Sequence, residues 1–206
     1  MSATDKPGSV AARREQALTE HLRRAASTPD DGKLLLQAWT DATDAEWLAL
    51  IQRLMLERDH CTWNMLQHAL QAHPRSTALR QAQAGLLLQR GDARAAEELL
   101  RALLAEPSAQ LASSFTLARL LKGQGRMRAV ADVMRGAFPA SGGDLEQRIQ
   151  AIELLDDCGR KHDAADLAEV EIAAGNADPR LHAYAGMLQA QLGRFDVARE
   201  RYAFVA

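Results

Sequence analysis

Residues 181–206 read LHAYAGMLQAQLGRFDVARERYAFVA. The stretch holds a small pair, Ala185 and Gly186, then Gly193, and after it Phe195, Ala198 and Tyr202. Small and apolar residues recur every three or four positions on both sides of Gly193, the period of a helix with one buried face. A glycine between two such runs ends one helix and lets the chain turn back into the next. Counting back from Gly193 in steps of 34 residues meets Gly159, Gly125 and Gly91. Three equal intervals at that length point to a repeated helix–turn–helix unit.

The columns around these glycines repeat with them. Five residues earlier stand Leu86, Leu120, Leu154 and Leu188; four earlier stand Leu87, Leu121, Leu155 and, out of pattern, Gln189. Seven earlier come Ala84, Ala118, Ile152 and Gly186, and five later Ala96, Val130, Ala164 and Ala198. Small residues let antiparallel helices approach, and the larger apolar ones fill the seam between hairpins.

Residues 181–206 and these columns resemble the tetratricopeptide repeat family in the small pair, the turn glycine, the aromatic two residues later and the alanine five later. The copy at Gly159 keeps Ala164 but has Lys161 in the aromatic place, and the copies at Gly91 and Gly125 put Ala93 and Met127 there. A further copy back, the count lands on Glu57 rather than glycine, while Ala69, Leu70 and Pro74 stand where that copy should close. The resemblance implies an all-α fold, a right-handed α-solenoid of about five hairpins, the first divergent. The expected array covers residues 43–206, in repeats near 43–76, 77–110, 111–144, 145–178 and 179–206.

Ahead of the array, residues 1–8 are polar and expected to be disordered. Residues 9–42 are expected to form a capping helix pair, because terminal units of such arrays cover an otherwise bare apolar face. The first of these helices starts at Ser9 as cap and runs to Ser27; residues 28–32 break it, and KLLLQAWT makes a short second helix. Thr43, with Glu46 three residues on, reads as a capping box. Asp178 before Pro179 reads as a cap followed by the residue suited to a first helical position. The loop at 139–143, closed by Asp144 as cap, is the widest expected joint. At the other end, Leu188, Tyr202 and Phe204 are expected to be partly exposed on the last hairpin. That face either pairs with another molecule, a second copy included, or continues into a longer protein.

The composition excludes several classes. With 25 Lys+Arg against 27 Asp+Glu, the chain lacks the basic excess that general nucleic-acid binding needs. No stretch of 18 apolar residues reads as a membrane helix, and the first ten residues hold no apolar core of a signal peptide. Cys61 and Cys158 lie in different repeats, so no disulfide is expected, which fits a cytoplasmic setting.

Chemistry-bearing patterns are few. His60, Asn64 and His68 share one helix face, but Cys61 points about 100° away, and a metal needs three or four convergent ligands. Cys158 and His162 flank a turn with no third group to orient them. Gly123 and Gly125 lack the Lys-Ser/Thr ending of a phosphate loop. No catalytic residue, metal or cofactor is expected.

The resemblance instead implies a binding groove lined by the first helix of each repeat. By register it holds Gln81 and Leu88, then Phe115, Arg119 and Lys122. Next come Ile149, Glu153, Asp156 and Asp157, and finally Tyr184 and Met187. A small cationic patch beside an anionic one, with apolar groups between, suits an extended peptide or a partner's helix. Pairs such as Arg119–Glu153 and Lys122–Asp156 could equally neutralise each other across adjacent repeats. The carboxylate-clamp subtype needs a set of Lys, Asn and Arg residues where Gln81, Gly85, Phe115, Thr116 and Arg119 stand. Only one of these is a cation, so that role is not expected. The function implied is a scaffold for protein–protein or protein–peptide interaction. The alternative is the N-terminal, substrate-presenting segment of a larger enzyme, because the degenerate copies are similar to those preceding the catalytic domain of bacterial tetratricopeptide sulfotransferases.

Overall fold

Periodic apolar faces broken by caps and glycines give helices alone. The structure, a computed structural model, describes residues 7–25, 32–106, 111–138 and 145–205, and among these there are twelve α-helices and no strand. The first four are α1 (Pro7–Ala25), α2 (Lys33–Trp39), α3 (Asp44–Leu56) and α4 (Thr62–Ala72). The next four are α5 (Thr77–Gln89), α6 (Ala93–Leu104), α7 (Leu111–Gly123) and α8 (Met127–Ala137). The last are α9 (Leu145–Asp157), α10 (Lys161–Ala173), α11 (Pro179–Gln191) and α12 (Phe195–Ala203). Helix α1 begins at Pro7, so Pro7 and Gly8 are helical and Ser9 is no cap; proline's fixed φ suits a first helical turn. The joint expected at 139–143 and its cap Asp144 lie outside the described residues, as do residues 1–6.

Capping follows the local sequence. Thr43 Oγ1 accepts the Glu46 N–H at 3.3 Å while the Glu46 carboxylate accepts the Thr43 N–H at 2.8 Å. That pair satisfies two of the unmatched donors at the start of α3. Asp178 accepts the Arg180 N–H at 2.8 Å at the head of α11. Gly91, Gly125, Gly159 and Gly193 all take φ between 69 and 82°, where a side chain would be strained. At each the next amide reaches back into the closing helix, as Arg126 N–H does to Leu121 O at 2.9 Å. The first hairpin has the same turn, displaced by one residue from the 34-residue count. Arg58 takes φ 53°, and Asp59 N–H donates to Leu54 O at 2.9 Å. Glu57 is only the right-handed C-cap that follows α3, so the turn without glycine is kept by an arginine.

The chain divides into two compact units, Met1–Leu99 and Leu100–Ala206. In the first, Leu18, Leu35 and Trp39 from α1 and α2 join Leu50, Leu54, Met65 and Leu66 from α3 and α4 in one core. Each fully buried side chain of this size contributes about 1.5–3 kcal/mol. Arg14 locks α1 down by donating Nε–H to Ala38 O at 3.1 Å, pairing with Glu46 and lying over the Trp39 ring.

The second unit buries Leu117, Leu121, Met134, Ile152, Leu155, Leu181 and Leu188. Leu188 was expected to be part-exposed and is instead fully buried, because α11 packs against both α10 and α12. Tyr202 and Phe204 do stay 45 and 50% exposed, Phe204 stacking on His182 at 3.8 Å. Gln189, the polar exception in a leucine column, is buried but satisfied. It donates to Glu169 at 3.0 Å and accepts from Arg194 at 3.3 Å. No described helix is long and apolar enough to cross a membrane.

Candidate peptide-binding cleft

Residues 115, 119 and 122 fall at helical spacing on one face of α7, and 149, 153 and 156 do the same on α9. Between these helices a cleft is lined by Phe115, Arg119, Lys122, Gly123, Gln150, Glu153, Leu154 and Asp157. Phe115 is only 9% exposed, so it forms the floor rather than the exposed apolar contact expected of it. Lys122 Nζ reaches Asp157 Oδ2 at 3.1 Å, not Asp156 as the register implied. Asp156 instead accepts the Tyr184 hydroxyl at 3.2 Å. Burial and then the Asp156 charge push the Tyr184 phenol far up, so it acts as a hydrogen-bond donor and not as a base.

The other pair that could have neutralised itself does not form among the described residues. Arg119 and Glu153 are both exposed, and neither makes a hydrogen bond or ion pair with the described residues. Among the described residues the cleft therefore keeps Arg119 and Glu153 open beside the closed Lys122–Asp157 pair.

Of the remaining groove residues, Ile149, Asp156, Tyr184 and Met187 are half-buried on α9 and α11 and do not line this cleft. Gln81 and Leu88 are half-buried on α5, within the first unit. Gln150 and Leu154 line the cleft without having been singled out. They sit three residues before Glu153 and Asp157, a spacing that marks the same helix face.

The thiol–imidazole pair does not assemble. Burial raises the Cys158 thiol above its ordinary pKa, with Lys122 pulling down and Asp157 pushing up, which is the direction away from a thiolate. His162 faces the Arg194 guanidinium at 3.4 Å. Likewise His60, Asn64 and His68 stay exposed on their helix face. Their neighbours Asp59 and Cys61 turn inward to His21, 38 and 40 residues away, a meeting that no local spacing could reveal.

No family model and no curated protein matches the sequence. Solved structures do match. PilF of Pseudomonas aeruginosa is 13% identical, with 94% of this chain and 90% of that one covered at a TM-score of 0.54. MamA is 13% identical, with 79% of this chain and 89% of that one covered at a TM-score of 0.53. Both are tetratricopeptide repeat proteins. Identities at this level speak to fold alone, and the fold is the all-α, hairpin-repeat architecture of that class.

Proposed function

We propose that this protein is a cytoplasmic scaffold that binds an extended segment of a protein partner in the α7–α9 cleft, with no catalysis of its own. One observation carries the reading: Arg119 and Glu153 line the same cleft, exposed and unpaired among the described residues, above a floor of Phe115 and Leu154. Opposite charges on neighbouring helices gain little by pairing in water, about 0–1 kcal/mol, so a ligand displaces nothing costly. An arginine fork offers two parallel hydrogen bonds to a carboxylate, and Glu153 accepts from a backbone amide or a lysine. The fitting ligand is a peptide with an acidic side chain beside an apolar one. Nothing in the cleft favours the sulfotransferase-linked alternative.

Peptides selected on the full chain and titrated by fluorescence anisotropy test this. Charged hydrogen bonds contribute about 1.5–3 kcal/mol, so Arg119→Ala should weaken binding roughly tenfold or more. Affinity unchanged in both Arg119→Ala and Lys122→Ala sinks the cleft. The proposal extends to pairing of two copies through α12 and the residues after it, where Phe195, Tyr202 and Phe204 are 66, 45 and 50% exposed. Light scattering that shows a monomer at high concentration removes that part.

A further inference from the structure

Three chemically different side chains converge in the first unit, away from the cleft. His21 on α1 places Nε2 3.0 Å from Asp59 Oδ2, in the turn between α3 and α4. Cys61, the residue before α4, places Sγ 3.4 Å from the same Nε2. All three ligand atoms lie within 4.8 Å of one another. His21 and Cys61 are 0 and 1% exposed, and the Asp59 side chain 3%. We propose that His21, Asp59 and Cys61 form a binding site for a thiophilic divalent cation of the zinc class.

The geometry and the donor set argue together. Zinc–ligand bonds of about 2.0–2.3 Å in tetrahedral array put neighbouring ligand atoms roughly 3.3–3.6 Å apart. The two separations from His21 Nε2, 3.0 Å to Asp59 Oδ2 and 3.4 Å to Cys61 Sγ, lie within about 0.3 Å of those values, and the third lies within 4.8 Å. One sulfur, one nitrogen and one oxygen are the zinc ligand types, while a thiolate disfavours magnesium and calcium. A central cation would replace the contacts of His21 Nε2 with Asp59 Oδ2 and Cys61 Sγ by coordination bonds to all three residues.

The supporting contacts hold the ligands in place. Asp59 Oδ1 accepts the Cys61 N–H at 2.8 Å, which leaves Oδ2 aimed at His21. Thr62 Oγ1 donates to the Asp59 carbonyl at 2.6 Å, fixing the turn from its other side. Such outer bonds orient metal ligands. The aspartate one residue past the next turn, Asp92, shows the ordinary alternative. Its Oδ1 caps α6 through the Ala95 N–H at 3.1 Å. Asp59 also lines a surface cleft with Arg58, His60, Thr62 and Trp63, so the cluster lies next to the surface. Binding forms coordination bonds only: the Cys61 thiol proton leaves to solvent, His21 presents its Nε2 lone pair, and nothing is oxidised or reduced. The ion would clip α1 to the first hairpin.

The test is titration of the chelator-stripped full chain with cobalt(II), a spectroscopic stand-in for zinc. Expected is a thiolate-to-cobalt charge-transfer band that saturates at one ion per chain and disappears on adding zinc. The chain has two cysteines, so Cys158→Ser leaves Cys61 as the sole thiol and should keep the band. Cys61→Ser should abolish it. Loss of an outer partner costs about 10–100-fold in affinity, so His21→Gln and Asp59→Asn should cost at least that. A wild-type chain with no such band, or a band that survives Cys61→Ser, overturns the proposal and leaves a buried hydrogen-bonded cluster. Should Cys61→Ser fail to fold by circular dichroism, Cys158→Ser decides alone, since loss of its band also overturns the site.

Discussion

Arg58 stands in a left-handed turn where the four later turns place glycine. A side chain there costs about 1–2 kcal/mol against its own carbonyl, and glycine returns about 0.5–1 of that through the entropy of the unfolded chain. Arg58→Gly should therefore stabilise the protein by about 0.5–1 kcal/mol, read as a higher urea midpoint with an unchanged slope. The converse applies at Gly159, where an added Cβ meets nothing within 4 Å. Gly159→Ala should cost about 0.5–1 kcal/mol, the backbone strain of about 1–2 less the same entropy term. Equal midpoints for wild type and both variants would show that these turns relax freely. Residue identity made the later turns legible, since glycine is the signature of φ > 0. The first was hidden because an arginine carries no such mark and the register slips by one.

At the scale of elements, the three last helices are joined by one carboxylate. Glu169 on α10 accepts from Arg201 on α12 at 3.1 and 2.6 Å and from Gln189 on α11 at 3.0 Å. Burial pushes its pKa up, but the hydrogen bonds from Arg201 and Gln189 and the Arg201 charge outweigh that and hold it below the ordinary 4.5. A folded-state pKa below the unfolded value means that the unfolded chain binds more protons. The stabilisation is complete above about pH 4.5 and is lost as pH falls through the folded pKa. Glu169→Gln should flatten the fall of the urea midpoint across that acid window, and curves parallel to wild type would refute the role. Helices and seams could be read from the sequence because Ala84, Ala118, Ile152 and Gly186 fall in one column and are all buried. Gln189 could be recognised as an exception, but not its partners. Glu169 and Arg194 sit on other elements, and no periodicity links them. The cleft was half legible for the same reason: register named Arg119 and Glu153, while whether they pair depends on side-chain paths that spacing does not encode.

For the whole molecule, a hairpin array has a thermodynamic consequence. Each hairpin packs on its neighbours in sequence, so stability is close to a sum of local terms and nearest-neighbour interfaces. The described contacts follow that pattern, α7 with α8, α9 with α10 and α11 with α12, and the chain divides into two compact units. A core lesion should then act locally. Leu155 is fully buried on α9, and Leu155→Ala should cost about 2–5 kcal/mol through lost burial and the cavity left behind. By hydrogen exchange, amides of α9 and α10 should lose protection by a factor that matches this cost, because their opening no longer has to break that packing. Amides of α3 and α4, whose core is built from Leu50, Leu54, Met65 and Leu66, should keep theirs. Equal loss of protection in both units would mean that the chain opens as one cooperative body. Local loss would mean instead that a ligand in the α7–α9 cleft protects the second unit while leaving exchange in the first unchanged.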